Sequence, residues 1–297
     1  GGDVTNKGIE LALSWNDRIG DFTYNAAING SYNKNTVGNI PTQDGIIHGE
    51  SNEAYNNAEA IYRKAQEGYP IGYFWGWQTD GILQDNAEVA SYVAALGGNA
   101  TNTLQGRNIA PGDVKFVDRD KNGKIEEADK TMIGSPHPDF TFGLSFGCSW
   151  KNIDFSIMAN GMAGNEIFQS YRDYSSKYAN FSTDILGRWH GKGTSNTLPR
   201  LTEGNYNYRI SDLFVKKGDF LRISNIQVGY DFAKDVVKWK YLSQLRFYVA
   251  VQNAFILSAY NGMDPEIGYG TDSSNSGIDL GYYPRPRTLL AGVNITF

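Results

Sequence analysis

The part of this 297-residue chain best suited to chemistry runs Asp118-Arg119-Asp120-Lys121-Asn122-Gly123-Lys124-Ile125-Glu126-Glu127-Ala128-Asp129. Calcium is a hard cation that takes oxygen ligands. An EF-hand-like loop supplies them from positions 1, 3, 5, 7 and 12, with glycine at 6 to make the turn. Here those ligands are Asp118, Asp120, Asn122, the backbone carbonyl of Lys124, and Asp129, with Gly123 at the turn and Ile125 at the eighth place. Position 12 is Asp where Glu is usual, and no long helix precedes the loop. The shorter carboxylate binds through one oxygen and weakens affinity. The same residues also suit a polar Asx-turn loop that holds its shape without metal. Both readings stand at this point, and in either the loop is structural and not catalytic.

Little else in the chain suits catalysis. It has no GxSxG, HExxH or phosphate-cradling glycine loop. Glu126 and Glu127 are neighbours in a turn, which does not set two carboxyls across a glycosidic bond. His48, His137 and His190 stand singly, and the one cysteine, Cys148, has no partner for a disulfide or a metal site. No catalytic residue is assigned. A net charge of -5 and a pI near 5.3 argue against nucleic acid as a partner. No apolar run is long enough for a membrane-spanning helix, which leaves membrane-spanning strands open. The chain opens on Gly1-Gly2-Asp3, without Met or an export segment, and reads as a fragment.

The elements that must hold such a loop announce themselves by period two. Phe140, Phe142, Leu144, Phe146, Cys148 and Trp150 fall on one face of an extended segment. Thr141, Gly143, Ser145, Gly147 and Ser149 fall on the other. An aromatic face opposite a small polar one suits a sheet between lipid and water. The pattern resumes at Ile153 after a tight hairpin at Lys151-Asn152. It recurs in residues 9–15, 22–32, 245–252 and 289–297. Residues 221–230 slip register near Asn225, which predicts a bulge. Seven spanning strands result. Joins near residues 16–21, 151–152 and 234–243 are short, and those near 33–137, 165–218 and 257–286 are long. Short and long alternate, as in a transmembrane antiparallel β-barrel with long extracellular loops. A soluble β-sandwich has no reason to gather its long loops at one end.

Four stretches resemble SusC/RagA-like TonB-dependent outer-membrane transporters. They are Asn6-Lys7-Gly8-Ile9-Glu10-Leu11; Gly68-Tyr69-Pro70-Ile71-Gly72 through Thr79-Asp80-Gly81-Ile82; Pro111-Gly112-Asp113-Val114-Lys115-Phe116 with Ile133-Gly134-Ser135-Pro136-His137-Pro138-Asp139-Phe140; and Phe220-Leu221-Arg222-Ile223-Ser224-Asn225 with Val228-Gly229-Tyr230. They occur in the family's order and span nearly the whole chain. The resemblance implies that residues 1–297 are the C-terminal portion of the barrel, about the last seven of 22 strands. Residues 33–137 become an extracellular loop region that includes the EF-hand-like loop 118–129. It also implies import of oligosaccharides or oligopeptides, a SusD-like lipoprotein lid, TonB acting through an absent N-terminal part, and contact with outer-membrane lipids. The alternatives are a soluble or surface calcium-dependent carbohydrate-binding β-protein, and a secretion or adhesion barrel.

Against that frame, Tyr171, Tyr174, Tyr178, Phe181, Trp189, Tyr206 and Tyr208 in the second long join are candidates for substrate or lid contact. Tyr73, Phe74, Trp75 and Trp77 are expected to pack at the rim. Arg222, Arg246 and Asp154 fall on the polar faces, because Arg facing lipid costs about 2–4 kcal/mol at midplane. The plug of the barrel is their expected partner. Residues 84–96 have the spacing of a short surface helix.

Overall fold

The computed structural model describes residues 2–49, 60–170, 181–202, 204, 206–232, 241–267 and 276–297. In chain order, β1 (Val4–Ile19) turns at Gly20-Asp21 into β2 (Phe22–Val37). The first long connection then holds β3 (Ile46–His48), β4 (Tyr62–Gln66), β5 (Tyr73–Gly76), β6 (Thr79–Ile82), helix α1 (Asn86–Ala95), β7 (Val114–Phe116) and β8 (Thr131–Gly134). A hairpin of β9 (Phe140–Trp150) and β10 (Ile153–Ala163) follows, and the second long connection carries β11 (Glu166–Gln169) and β12 (Val215–Lys217). Then come β13 (Phe220–Asp231), β14 (Gln244–Ser258), β15 (Ile278–Asp279) in the third long connection, and β16 (Thr288–Thr296).

One antiparallel sheet, ordered β1-β2-β9-β10-β13-β14-β16, accounts for the seven expected strands. Neighbours in the sheet are neighbours in sequence among these seven, so every short turn lies at one end and every long connection at the other. Registers carry the alternation across the whole sheet. Trp15, Ala26, Phe146, Ile157, Ile226, Val251 and Leu289 form one cross-strand row. Asn16, Asn25, Gly147, Ser156, Gln227, Ala250 and Leu290 form the adjacent row on the opposite face.

The expected bulge is present. Registers shift between Met158 and Ala159 against Ile223 and Asn225, leaving Ser224 as the extra residue. The sequence requires it: Leu221 and Ile223 lie an odd number of residues from Ile226 and Val228, so an unbroken strand would set the two pairs on opposite faces. Asn253 opposite it adopts a left-handed φ of 50°.

β1 and β2 each run 16 residues, beyond the expected limits, because polar ends without apolar alternation still pair. Asn33 and Asn35 both donate to Asn6 Oδ1, at 3.3 and 2.9 Å. No helix among the described residues is long and apolar enough to cross a membrane.

Apart from a small cluster of Ala159, Ile223 and Ala254 on neighbouring strands, the hydrophobic core lies off the sheet. Every residue of β1 is exposed, and the largest buried side chains belong to the long connections. One cluster unites Ile61, Tyr62 and Phe74 of the first connection with Phe168, Tyr208, Ile210 and Phe214 of the second and Ile278 of the third. The three long connections therefore fold together as a single cap at one end of the sheet.

Candidate functional site

Residues 118–129 close into a loop whose acidic side chains converge. Carboxylate oxygens of Asp118, Asp120 and Asp129 lie within 4.8 Å of one another. Backbone amides hold each of them: Gly123 N–H donates to Asp118 Oδ2 at 2.8 Å, Asn122 N–H to Asp120 Oδ1 at 3.0 Å, and Arg119 N–H to Asp129 Oδ1 at 2.7 Å. Gly123 has a φ of 85°, a conformation that a side chain would strain. Asp129 is fully buried. Among the described residues no ammonium or guanidinium pairs with any of the three carboxylates. The Lys124 ammonium is tied to Glu126 Oε2 at 2.7 Å, a contact that holds the Glu126 carboxyl below its ordinary range. Lys130, almost buried, bonds Glu127 at 2.9 Å and lies 4.0 Å over the Trp77 ring.

The loop is built into the cap. Ile125 sits in a core with Trp77, Leu83, Tyr92, Leu96 and Phe116, and its N–H donates to Asn102 O at 2.8 Å. Asn102 Nδ2 reaches Leu96 O and Gly123 O. Asp85 caps α1 by accepting from the amides of Ala87 and Glu88. The helix expected at residues 84–96 is therefore real, but it buttresses the loop from the side.

A second polar cluster fastens the first two long connections together. Buried Asp113 accepts from Arg200 Nε at 2.7 Å and Asn207 Nδ2 at 2.8 Å, while Asn207 Oδ1 accepts from Val114 N–H at 3.0 Å. Pro111-Gly112-Asp113 was visible as a motif, but its partners lie some ninety positions on and carry no local signal.

The aromatic candidates divide. Tyr208 is 1% exposed and packs 6.1 Å from Phe214; this corrects the expectation of ligand contact, since no surface of its ring remains. Trp189 is half-buried, packs against the core around Trp77, and donates Nε1–H to Gln84 Oε1 at 3.1 Å. Tyr206 is partly exposed beside Arg200, and Phe181 is exposed. Tyr171, Tyr174 and Tyr178 lie outside the described residues. Tyr73, Phe74 and Trp77 are buried, and Trp75 lies under the Arg63 guanidinium at 4.1 Å.

The polar-face charges also find partners other than the expected ones. Arg246 Nε donates to Asp154 Oδ2 at 2.7 Å, with Nη2 on Oδ1 at 2.5 Å. The pair spans β13 at Gly229, where a Cβ would lie 2.4 Å from Asp154 Oδ2. Arg222 is met by Asp264 and Glu266 of the third long connection. Both arginines are thus neutralised within this chain, which corrects the expectation that a plug supplies their partners.

No family model matches the chain. A curated TonB-dependent receptor, P3 of Formosa agariphila, is 33% identical over 307 aligned positions covering all of this chain. TonB-dependent receptor SusC of Bacteroides thetaiotaomicron is 29% identical, again over the whole chain. The chain spans 29% and 27% of the lengths of these relatives. Among solved structures, that of the RagAB peptide transporter matches with a TM-score of 0.73 at 18% identity, over 100% of this chain and 30% of that one. The fold is therefore a stretch of transmembrane β-barrel wall with its outer loops, and the proteins it matches are receptors and transporters, not enzymes.

Proposed function

From the premise that this chain is a barrel stretch of a SusC/RagA-like TonB-dependent receptor, we propose that the protein imports an oligosaccharide or oligopeptide across the outer membrane. TonB drives the import, and a SusD-like lipoprotein covers the mouth. The carrying observation is the two-faced seven-stranded sheet with all its long connections at one end. A sheet with Trp15, Phe146 and Val249 exposed on one face and serine, asparagine and glycine on the other has a stable setting between hydrocarbon and water. The cap supports a recognition role, because loops folded on a shared core present a fixed surface to a lid. Uptake of fluorescent oligosaccharides and oligopeptides by cells with and without the intact gene, and with and without TonB, tests the reading. Loss of one class of cargo in both deletions is expected. Unchanged uptake of every oligomer refutes it.

The loop 118–129 serves this function, in our reading, as a calcium site through Asp118, Asp120, Asn122, the Lys124 carbonyl and Asp129. Three converging carboxylates that pair with no cationic side chain among the described residues support that assignment, since like charges so close repel until a cation joins them. The ion would stiffen the cap and take no part in chemistry.

A further inference from the structure

The third long connection leaves β14 at Ser258 and rejoins the sheet at Thr288, which pairs with Gln252 and so lies well below the end of β14. Its outgoing limb meets one side chain of the sheet, and its returning limb holds the same two carboxylates. Arg222 Nη2 donates to Asp264 Oδ1 at 2.7 Å. Its Nε lies 3.0 Å from Glu266 Oε2, too oblique for a hydrogen bond, so that contact is electrostatic. On the returning limb, Arg285 Nη2 lies 2.8 Å from Glu266 Oε1, and its backbone N–H donates to Asp264 Oδ2 at 3.3 Å. Glu266 N–H donates to Asp264 Oδ1 at 3.0 Å. Arg222 pairs in register with Asn160 and Ile256 on the polar face. The connection therefore reaches it from the polar side.

We propose that Arg222 is a latch that keeps the two limbs of this connection, residues 259–267 and 276–287, folded inside the outer rim of the barrel, narrowing the mouth beside β13 and β14. A freely moving surface loop would keep its carboxylates in water. Here Arg222 is 4% exposed and Asp264 8%, so the pair is desolvated and opening it strands a charge on either side. Other anchors act in the same sense: Tyr260 donates to Asp279 Oδ2 and packs with Ile167 and Ile267, β15 pairs with β11, and Asn253 Nδ2 donates to Pro286 O. Among these contacts only Arg222 lies on a wall strand and is charged, so it joins the motion of the loop to the barrel.

The latch rests on the polar face being the barrel interior, which is tested apart from it. In a Cys148→Ser background, Ser156→Cys should react with a water-soluble thiol reagent and Val249→Cys should not; equal reaction would overturn the face assignment alone. For the latch, hydrogen exchange is followed by mass spectrometry in the full-length receptor. Removing only Arg222 could unfold the region by stranding Asp264, so the variant is R222M/D264N/E266Q, which leaves no buried charge unpaired. Exchange across 260–267 and 280–287 should quicken about tenfold or more, with 85–129, whose core holds no residue of this connection, unchanged. Arg222→Lys, with one charge but no fork to two carboxylates, should fall between. Wild-type protection of the loop in the triple variant overturns the proposal.

Discussion

Ile157→Arg and Ser156→Arg place the same charge on successive residues of β10, at one depth and on opposite faces. Ile157 stands in the row with Phe146 and Ile226, and Ser156 in the row with Gly147 and Gln227. Ile157 is four residues from Ile153 at the short-turn end of its strand. At roughly 3.3 Å per residue that is about 13 Å along the strand. A tilt of about 40° brings the depth to about 10 Å, well inside an apolar band about 25 Å tall. Arg there should cost about 2–3 kcal/mol, between the midplane and interface values, a shift of roughly 30- to 150-fold in the folding equilibrium at 1.4 kcal/mol per tenfold. Ser156 lines an open cavity of about 680 Å³ with Asn16, Asn25 and Asp154. Arg at that site has room and faces water, and should cost under about 1 kcal/mol. Urea titration of the full receptor refolded into phospholipid vesicles measures both. Equal losses, or a larger loss for S156R, would refute the assignment of lipid to the aromatic face.

Three further outcomes follow from the cap and the wall. D118N/D120N should speed proteolysis within residues 96–130 without changing membrane insertion. A chelator should do the same to the wild type and nothing to the variant, and identical cleavage throughout would exclude a metal. Burial raises the Glu166 carboxyl above its ordinary value of 4.5, with the Ser135 N–H opposing and Asp139 and Asp219 adding to the rise. Its contribution is therefore full below about 4.5 and declines as pH climbs through the raised value. Glu166→Gln should flatten that decline in the thermal stability of the cap, and a slope equal to wild type would refute it. Gly229→Ala would put a Cβ 2.5 Å from Arg246 Nη2, and should cost about 1–3 kcal/mol by forcing the ion pair off the strand. Urea unfolding of G229A in vesicles measures it, and a cost near zero would mean the pair does not lie across Gly229 in the membrane.

Much of this protein is legible in its sequence. Period two is a local property, so the alternation around Phe142, Leu144 and Phe146 settled the strands and their faces, and the odd spacing between Ile223 and Ile226 forced the bulge. The spacing of Asp118, Asp120, Asn122 and Asp129 likewise lies within one turn and needs no distant partner to be seen. Tertiary structure alone decided what the long connections do. The partners of Asp113, Arg222 and Asp154 lie in other segments, and the shared core joins Phe74, Phe168 and Ile278 from three of them. Such contacts leave no period in the sequence, because apolar residues in irregular loops are ordered by the surfaces they meet and not by a repeating backbone. For that reason Tyr208 passed for a recognition residue until its burial removed it.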